Sequence, residues 1–192
     1  MGLSICVYSS SSNRIHEDYF AAARELGRLM GERGHGLVYG GGNIGMMNAM
    51  ALEAQAAGGR VVGVIPRLLR ENKWCLETCD ELIETVGMRD RKAVMESRAD
   101  GFIAMPGGFG TLEELLEIIT LKQLKYHAKP IVILDVGGYY DHLLAQFERM
   151  FDEGFARRKY AELYHVTADP RDALEHIETY TPKDLREMPE KA

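Results

Sequence analysis

Short apolar runs alternate with longer amphipathic segments along this chain. The short runs are rich in β-branched residues and predict strands at residues 3–8, 37–39, 60–65, 81–86, 101–105, 130–134 and 164–166. The longer segments repeat apolar residues at helical spacing and predict helices at residues 16–33, 46–57, 89–99, 111–125, 139–153 and 170–180. Several strands are apolar on both faces, which is typical of parallel strands covered by helices on either side. We therefore predict a doubly wound, Rossmann-like α/β sheet with helices on both faces.

Two segments add detail to that prediction. Residues 81–86 alternate polar and apolar side chains, as an exposed edge strand does. The charged tail at residues 181–192 has no hydrophobic face, so we expect it to be mobile. We expect residues 1–180 to form a single α/β domain, because no linker or internal repeat divides them.

The net charge and the cysteines exclude several classes of partner. The chain has 192 residues and a formal net charge of −6, without the basic stripe that neutralises a nucleic-acid backbone, so we expect no nucleic-acid partner. No apolar stretch approaches the length of a membrane span, so we expect no membrane partner. The three cysteines are odd in number and lack zinc-ligand spacing, which predicts reduced thiols in a cytoplasmic protein and no metal site.

Two glycine-rich loops, at residues 40–45 and 106–111, each join a predicted strand to a predicted helix. Glycines let backbone N–H groups approach a ligand closely, and the helix N-terminus that follows favours an anion. Ligands of doubly wound sheets bind beyond the carboxyl ends of the strands, where the strand order reverses. We therefore predict a nucleotide-binding domain that holds a phosphate. Residues 67–80 have weak periodicity and contain the only tryptophan, Trp74, so we expect them to cross one edge of this site.

The first loop matches the form of a dinucleotide fingerprint, with Gly40-x-Gly42-x-x-Gly45 between a strand and a helix. That fingerprint also needs an acidic residue about 20 positions further on to hold the ribose hydroxyls. Residues 60–65 contain no acid, so an NAD site is not predicted. The alternative is that these glycines only form a tight turn from strand to helix.

The second loop leads into Thr111-x-x-Glu114, for which two interpretations stand. In a capping box, Thr111 would cap the helix and Glu114 would reach back to the cap N–H. In a hydrolase, Glu114 would instead face the positive charge that develops when an N-glycosidic bond breaks. A carboxylate beside a bound phosphate is unfavourable unless such a cation forms nearby, which favours the second interpretation.

A cluster of cations, Arg89-Asp90-Arg91-Lys92, begins the helix before the central strand. Cations in a first helical turn oppose the helix dipole, which indicates an anionic partner. Arginine suits phosphate or carboxylate because its planar fork can donate two parallel hydrogen bonds. The alternative is an ordinary solvated start of a helix.

The stretch Pro106-Gly107-Gly108-Phe109-Gly110-Thr111-x-x-Glu114, preceded by Met88-x-x-Arg91-Lys92, resembles the pattern of the LOG ("Lonely Guy") family. The resemblance covers nearly the whole chain, including the triple glycine at residues 40–42. It implies a cytokinin riboside 5′-monophosphate phosphoribohydrolase, which releases the adenine-type base and ribose 5-phosphate from an N6-substituted AMP. It also implies a homodimer whose site is completed across the subunit boundary. Many relatives are labelled lysine decarboxylase, but nothing in this sequence suggests a pyridoxal phosphate site.

By motif, the resemblance implies that Arg91 and Glu114 form the catalytic pair. It further implies that the nucleotide, and its 5′-phosphate in particular, is bound by Lys92, Gly41, Gly42, Gly45, Gly107, Gly108, Gly110, Thr111 and Thr120. That chemistry needs no metal ion and no redox cofactor. This chain departs from the family pattern at Ser10, where the family usually has the glycine of Cys-Gly-Ser-Ser, and at Arg89, where it often has histidine.

Two other functions remain open from the residues alone. One is an AMP nucleosidase that acts on the unmodified nucleotide and differs only in its base pocket. The other is a non-catalytic nucleotide-binding or carrier protein, which would keep both loops but would not need Arg91 or Glu114. The helix at 111–125 is apolar on more than one face, so part of it is expected to form a dimer interface, the alternative being a deeply buried helix.

Overall fold

A single parallel sheet organises the structure, a computed structural model that describes residues 2–182. Within these residues the sheet has seven strands in the order β4-β3-β2-β1-β5-β6-β7, and every neighbouring pair is parallel. Each strand lies within one residue of its predicted bounds; they are β1 (Ser4–Tyr8), β2 (Gly36–Tyr39), β3 (Val61–Pro66), β4 (Glu81–Thr85), β5 (Gly101–Ala104), β6 (Ile131–Leu134) and β7 (His165–Thr167). The predicted doubly wound fold is confirmed, and β4 lies at an edge of the sheet, as its alternating pattern indicated.

Helices connect the strands and cover both faces of the sheet. They are α1 (Glu17–Glu32), α2 (Gly45–Ala56), α3 (Arg67–Glu71), α4 (Met88–Arg98), α5 (Phe109–Gln123), α6 (Asp141–Asp152) and α7 (Pro170–Thr179), with 3-10 turns at Val136–Gly138 and Arg158–Leu163. The expectation of an irregular excursion at 67–80 was wrong for its first five residues, which form α3. That helix is too short, and too little buried, for helical periodicity to be visible in the sequence.

Alternate residues of β1 show how the two faces are covered. Ile5 and Val7 point to one side, into a core shared with α1, α2 and α7. Cys6 and Tyr8 point to the other side, into a core shared with α4, α5 and α6. Both faces of the central strands are therefore out of water, and for this reason these strands are continuously apolar in sequence.

The strand order reverses between β1 and β5. From β1 the chain moves outward through β2, β3 and β4, and it then returns to pair β5 with the other side of β1. The loops that leave the carboxyl ends of β1 and β5 therefore turn toward opposite faces of the sheet and leave a crevice between them.

Two further points concern the charged tail and the length of the helices. The tail predicted to be mobile lies outside the described residues from position 183 onward. Among the helices of residues 2–182, none combines the length and the apolar character that crossing a membrane requires.

Candidate active site

A cavity of about 610 Å³ opens in the crevice at the carboxyl ends of the central strands. Four consecutive serines, Ser9 to Ser12, line it from the β1 side, and Gly40 and Gly42 line it from the β2 side. The loop after β5 and the first turns of α5 complete it, through Gly108, Phe109, Gly110, Thr111, Glu113 and Glu114. The cavity therefore lies at the reversal of strand order, where the sequence predicted that a ligand binds.

A buried ion pair lies in this cavity. Arg91 on α4 donates from Nη1 to Oε1 of Glu114 on α5 at 2.8 Å. The two side chains are only 9% and 10% exposed. Arg91 also donates from Nε to the carbonyl oxygen of Val64 at the end of β3, at 3.0 Å. The guanidinium is thus held at two points, and the two residues predicted as the catalytic pair are in direct contact.

Burial controls the electrostatics of this pair. It raises the pKa of Glu114 above the ordinary value for glutamate, since water no longer solvates the carboxylate; the charge of Arg91 opposes that rise. Removing two charges from water costs free energy that their attraction often fails to recover. A buried pair with a perturbed carboxylate, inside a cleft, is therefore typical of a functional site.

The capping-box interpretation of Thr111 and Glu114 is wrong. Helix α5 begins at Phe109 with Gly108 as its N-cap, and no side chain caps it. Thr111 therefore lies inside the first turn rather than before it. Glu114 reaches across to α4 instead of back to the cap. The sequence pattern misled because the glycines at this loop let the helix begin two residues earlier than the predicted start.

The glycines of the first loop are required by close approaches. Gly41 and Gly45 have φ values of 72° and 66°, a left-handed conformation that side chains disfavour. A Cβ atom at Gly45 would lie 2.4 Å from the carbonyl carbon of Ser11, so the two loops touch through backbone atoms. A Cβ atom at Gly40 would lie 2.0 Å from Nη2 of Arg91. Gly40, which the prediction did not include, thus makes room for the guanidinium.

The predicted binding residues divide into three groups. Gly42, Gly108, Gly110 and Thr111 line the cavity. Gly41, Gly45 and Gly107 are not among its lining residues and shape the loops behind it; a Cβ atom at Gly107 would lie 2.1 Å from Oγ1 of Thr111. The third group, Lys92 and Thr120, does not line the cavity.

Lys92 and Thr120 have partners elsewhere within the chain. Nζ of Lys92 pairs with Glu113 and, at 2.7 Å, with Oε2 of Glu117. The hydroxyl of Thr120 donates to the carbonyl oxygen of Leu116 at 2.7 Å, on an exposed part of α5. Neither side chain is part of the cavity formed by this one chain.

An apolar wall also lines the cavity, and the sequence prediction missed most of it. We use this name for Ile44, Met47, Ile65, Leu69, Trp74, Met88 and Met95, all of which line the cavity. The segment at 67–80 therefore does border the site, as predicted. It is held against the first loop by an N–H of Leu76 donating to Gly41 at 2.9 Å. Trp74 remains 55% exposed, so its ring is available to a ligand.

Two tyrosines that the prediction did not include anchor the second loop. Tyr139 donates its hydroxyl to the carbonyl oxygen of Gly107, and Tyr140 donates to that of Met105, both at 2.6 Å. Tyr140 is buried, and the two rings meet edge to face. These contacts fix the backbone from which α5 begins.

The fold and the site together define a Rossmann-like α/β protein whose cavity holds a buried arginine–glutamate pair between two glycine loops. A family model described as "possible lysine decarboxylase" matches residues 47–177. Cytokinin riboside 5′-monophosphate phosphoribohydrolase LOG5 of Arabidopsis thaliana is 40% identical over 178 residues, covering 93% of this chain and 78% of that protein. LOG6 of the same plant, a probable enzyme of that name, is 42% identical over 94% of this chain and 90% of its own length. The chain belongs to this LOG family.

Solved structures with the same architecture are more distant in sequence. The molybdenum cofactor carrier protein of Chlamydomonas reinhardtii superposes with a TM-score of 0.71 at 24% identity, over 93% of this chain and 97% of that one. A molybdenum cofactor binding protein of Rippkaea orientalis gives a TM-score of 0.71 at 22% identity, over 93% of this chain and 97% of its own. These similarities support the fold. Among the described residues, no lysine lines the cavity, although a pyridoxal phosphate decarboxylase would need one there.

Proposed function

We propose that this protein hydrolyses the N-glycosidic bond of N6-substituted adenosine 5′-monophosphates to the free base and ribose 5-phosphate. The observation that carries the proposal is the buried contact between Arg91 and Glu114 inside the cavity. The names of its relatives, which match over more than nine tenths of this chain, support the same reaction. The protein is thus an N-glycosidase, specifically a nucleoside 5′-monophosphate phosphoribohydrolase.

Glu114 acts on the positive charge of the transition state. Breaking an N-glycosidic bond leaves the sugar with oxocarbenium character, and a nearby carboxylate lowers the free energy of that cation. The carboxylate needs no reorganisation because Arg91 already holds it at 2.8 Å. Glu114 also provides an acceptor that can orient the attacking water. The buried setting strengthens both effects, since few water dipoles screen the charges.

Arg91 holds the anionic part of the substrate. Its guanidinium has five N–H donors, and the contacts with Glu114 and Val64 account for two of them. Nη2 passes close to the backbone of Gly40, on the cavity side of the first loop. We infer that the remaining donors bind the phosphate or the ribose and offset negative charge as the base departs.

The second loop supplies the phosphate site. A Cβ atom added at Gly108 or at Gly110 would have no heavy atom within 4 Å, so the backbone there is open to a ligand. Helix α5 begins at Phe109, and its first N–H groups lack partners within the helix. A dianionic phosphate satisfies these donors and interacts favourably with the helix dipole.

The apolar wall favours a substituted base over plain AMP. An unbranched or prenyl substituent of five carbons, when fully buried, gains roughly 3–4 kcal/mol at about 0.8 kcal/mol per carbon. Trp74 and Leu69 lie at the edge of the cavity, where such a substituent would emerge from the N6 position of the base. This wall is what distinguishes the proposed enzyme from an AMP nucleosidase.

We further propose that the protein is a cytoplasmic homodimer that pairs through α5. Phe109 and Leu116 on this helix, and Leu124 directly after it, are 94%, 42% and 58% exposed in the single chain. Burying them between two copies would remove this apolar area from water. Thr120 does not line the cavity of its own chain, so in a dimer it would contribute to the cavity of the second copy. The free thiols of Cys6, Cys75 and Cys79 support a reducing compartment.

The test of the proposed activity uses AMP and N6-isopentenyl-AMP, with release of free base followed by chromatography. We expect a kcat/KM on the isopentenyl substrate at least tenfold above that on AMP. Trp74→Ala should reduce that preference without changing turnover of AMP, since the exposed ring is not needed for folding. Equal kcat/KM values on both substrates would indicate an AMP nucleosidase. Tight binding of both nucleotides without any release of base would indicate a carrier.

The dimer is tested separately by sedimentation velocity. Leu116→Glu places a charge on the exposed apolar face of α5, whereas Glu153→Gln changes an exposed residue directly after α6 as a control. We expect the first variant to sediment as a monomer and to lose activity, and the control to behave as the unmodified protein. An unmodified protein that sediments as a monomer would contradict the dimer proposal alone.

A further inference from the structure

Ser9 follows β1 directly and lines the same cavity as Arg91 and Glu114. It is only 8% exposed. Its hydroxyl oxygen is the single buried side-chain nitrogen or oxygen that lacks a hydrogen-bond partner within residues 2–182. Buried polar groups in proteins are almost always hydrogen-bonded, so each exception needs an explanation. A hydroxyl left unsatisfied in a ligand cavity points to a partner that arrives with the ligand.

The neighbouring serines have a different task. Oγ of Ser10 accepts the N–H of Ser12 at 3.0 Å, and Oγ of Ser12 accepts the N–H of Arg14 at 3.1 Å. The carbonyl oxygen of Ser10 accepts the N–H of Met46 at 3.0 Å, which joins this loop to the start of α2. These contacts fold the loop and do not involve the hydroxyl of Ser9. The loop geometry therefore does not explain why a serine stands at position 9.

The position of Ser9 in the sheet indicates which part of the substrate it meets. Strand β1 lies between β2, which leads into the first glycine loop, and β5, which leads into the phosphate loop. With the phosphate at the start of α5 and the base along the apolar wall, the ribose lies between them, above the end of β1. Tyr8 at the end of β1, Ser9 and Glu114 all line this same cavity.

We propose that the Ser9 hydroxyl positions the substrate by hydrogen-bonding a ribose hydroxyl. Serine changes between three staggered rotamers at low cost, so the hydroxyl can turn toward the cavity without movement of the backbone. A serine hydroxyl both donates and accepts, which matches the hydroxyls of a ribose. The inference rests on the proposed nucleotide substrate.

The test compares Ser9→Ala and Ser9→Cys on a ribonucleotide substrate and on its 2′-deoxy and 3′-deoxy analogues. Loss of one neutral hydrogen bond lowers kcat/KM by roughly 3- to 10-fold. We expect that loss for Ser9→Ala on the ribonucleotide, and less than a twofold change on the analogue that lacks the bonded hydroxyl. Ser9→Cys should give an intermediate value. Ser97→Ala, on the exposed side of α4, is the matched control and should leave every rate unchanged.

The melting temperature of the ligand-free protein provides an independent reading. Removing an unsatisfied buried hydroxyl should leave it unchanged or raise it, whereas removing a structural hydrogen bond should lower it. A lower melting temperature for Ser9→Ala, or an equal loss of kcat/KM on all three substrates, would assign the hydroxyl a structural role. No change on any substrate would equally overturn the inference.

Failure of the proposed function is distinguishable from failure of this inference. If the unmodified protein releases no base from any nucleotide, the enzyme proposal is wrong. Calorimetry then measures the affinities of the unmodified protein and of Ser9→Ala for AMP and for its two deoxy analogues. For each protein, the contribution of the contact is the difference between the affinity for AMP and the affinity for a deoxy analogue. The inference requires that difference to shrink in the variant; an unchanged difference refutes it.

Discussion

Replacing Glu114 by glutamine tests whether the buried carboxylate, and not merely its shape, is responsible for turnover. Oε1 of Glu114 lies 2.8 Å from Nη1 of Arg91, and both side chains are about nine tenths buried. The amide of glutamine has the same size and can still accept one hydrogen bond, but it carries no charge. The change therefore removes the electrostatic contribution and leaves the packing intact.

Two magnitudes follow from this geometry. Losing one charge of a buried pair costs about 3–5 kcal/mol when the partner is left unpaired. Arg91 keeps Val64 and an amide oxygen as acceptors, so we expect about 2–3 kcal/mol and a melting temperature lower by roughly 4–12 °C. Loss of one preorganised electrostatic group at the transition state costs about 10²- to 10³-fold in kcat.

The assay measures kcat and KM for release of free base, together with thermal unfolding of each variant. Glu117→Gln is the matched control, because it also removes a negative charge from α5 but at a residue that is 41% exposed and outside the cavity. We expect it to keep its activity and to lose less than about 1 kcal/mol of stability, as exposed ion pairs do.

Three outcomes would refute the reasoning about Glu114. A kcat within a few-fold of the unmodified protein would remove the carboxylate from the transition state. An increase in KM with an unchanged kcat would show that the residue binds substrate and transition state equally. A higher melting temperature would show that Arg91 is better accommodated without the paired charge.

Three further predictions test the surroundings of the pair. Gly40→Ala should lower kcat by about 10²-fold, because the new methyl displaces the Arg91 guanidinium, whereas Gly87→Ala, with open space around it, should leave kcat unchanged. Since burial raises the pKa of Glu114 above 4.5, kcat should fall as pH drops through that raised pKa, and Glu114→Gln should abolish this acid limb of the pH–rate profile. Burial lowers the pKa of Lys122 to about 8 from 10.5, so the folded state binds fewer protons than the unfolded state between those values. The free energy of unfolding, measured by urea titration, should therefore rise by about 1–3 kcal/mol from pH 8 to 10.5 relative to that of Lys122→Met. The same pH dependence of unfolding free energy in the unmodified protein and in Lys122→Met would contradict this.

Some features of the site could be read from local sequence because they depend on neighbouring residues alone. The left-handed turn at Gly41 and the anion-favouring start of α5 are set by glycines next to a strand and a helix. The resemblance to the LOG family, and no local rule, implied that Arg91 and Glu114 form a pair. Their contact itself joins two helices, and no local rule predicts a hydrogen bond across that separation.

Other features were misread or missed because they depend on what faces a residue in space. Thr111 and Glu114 fit a capping box in sequence, yet the helix starts earlier and the glutamate meets an arginine from another element. Lys92 belongs to the same motif as Arg91, but it pairs with Glu113 and Glu117 and does not line the cavity. One position along a helix rotates a side chain by about 100°, so adjacent residues of one motif need not share a site.

The sequence by itself determined the order and type of the strands and helices, and it predicted a ligand site at the reversal of strand order, where the structure has a cavity. These follow from hydrophobic periodicity and from the connection rules of parallel sheets, which act along the chain. Only the tertiary structure decided that Gly40 makes room for a guanidinium, that an apolar wall borders the cavity and that the Ser9 hydroxyl has no partner. Close approach, burial and hydrogen-bond satisfaction depend on atoms distant in the chain, and the fold alone brings those atoms together.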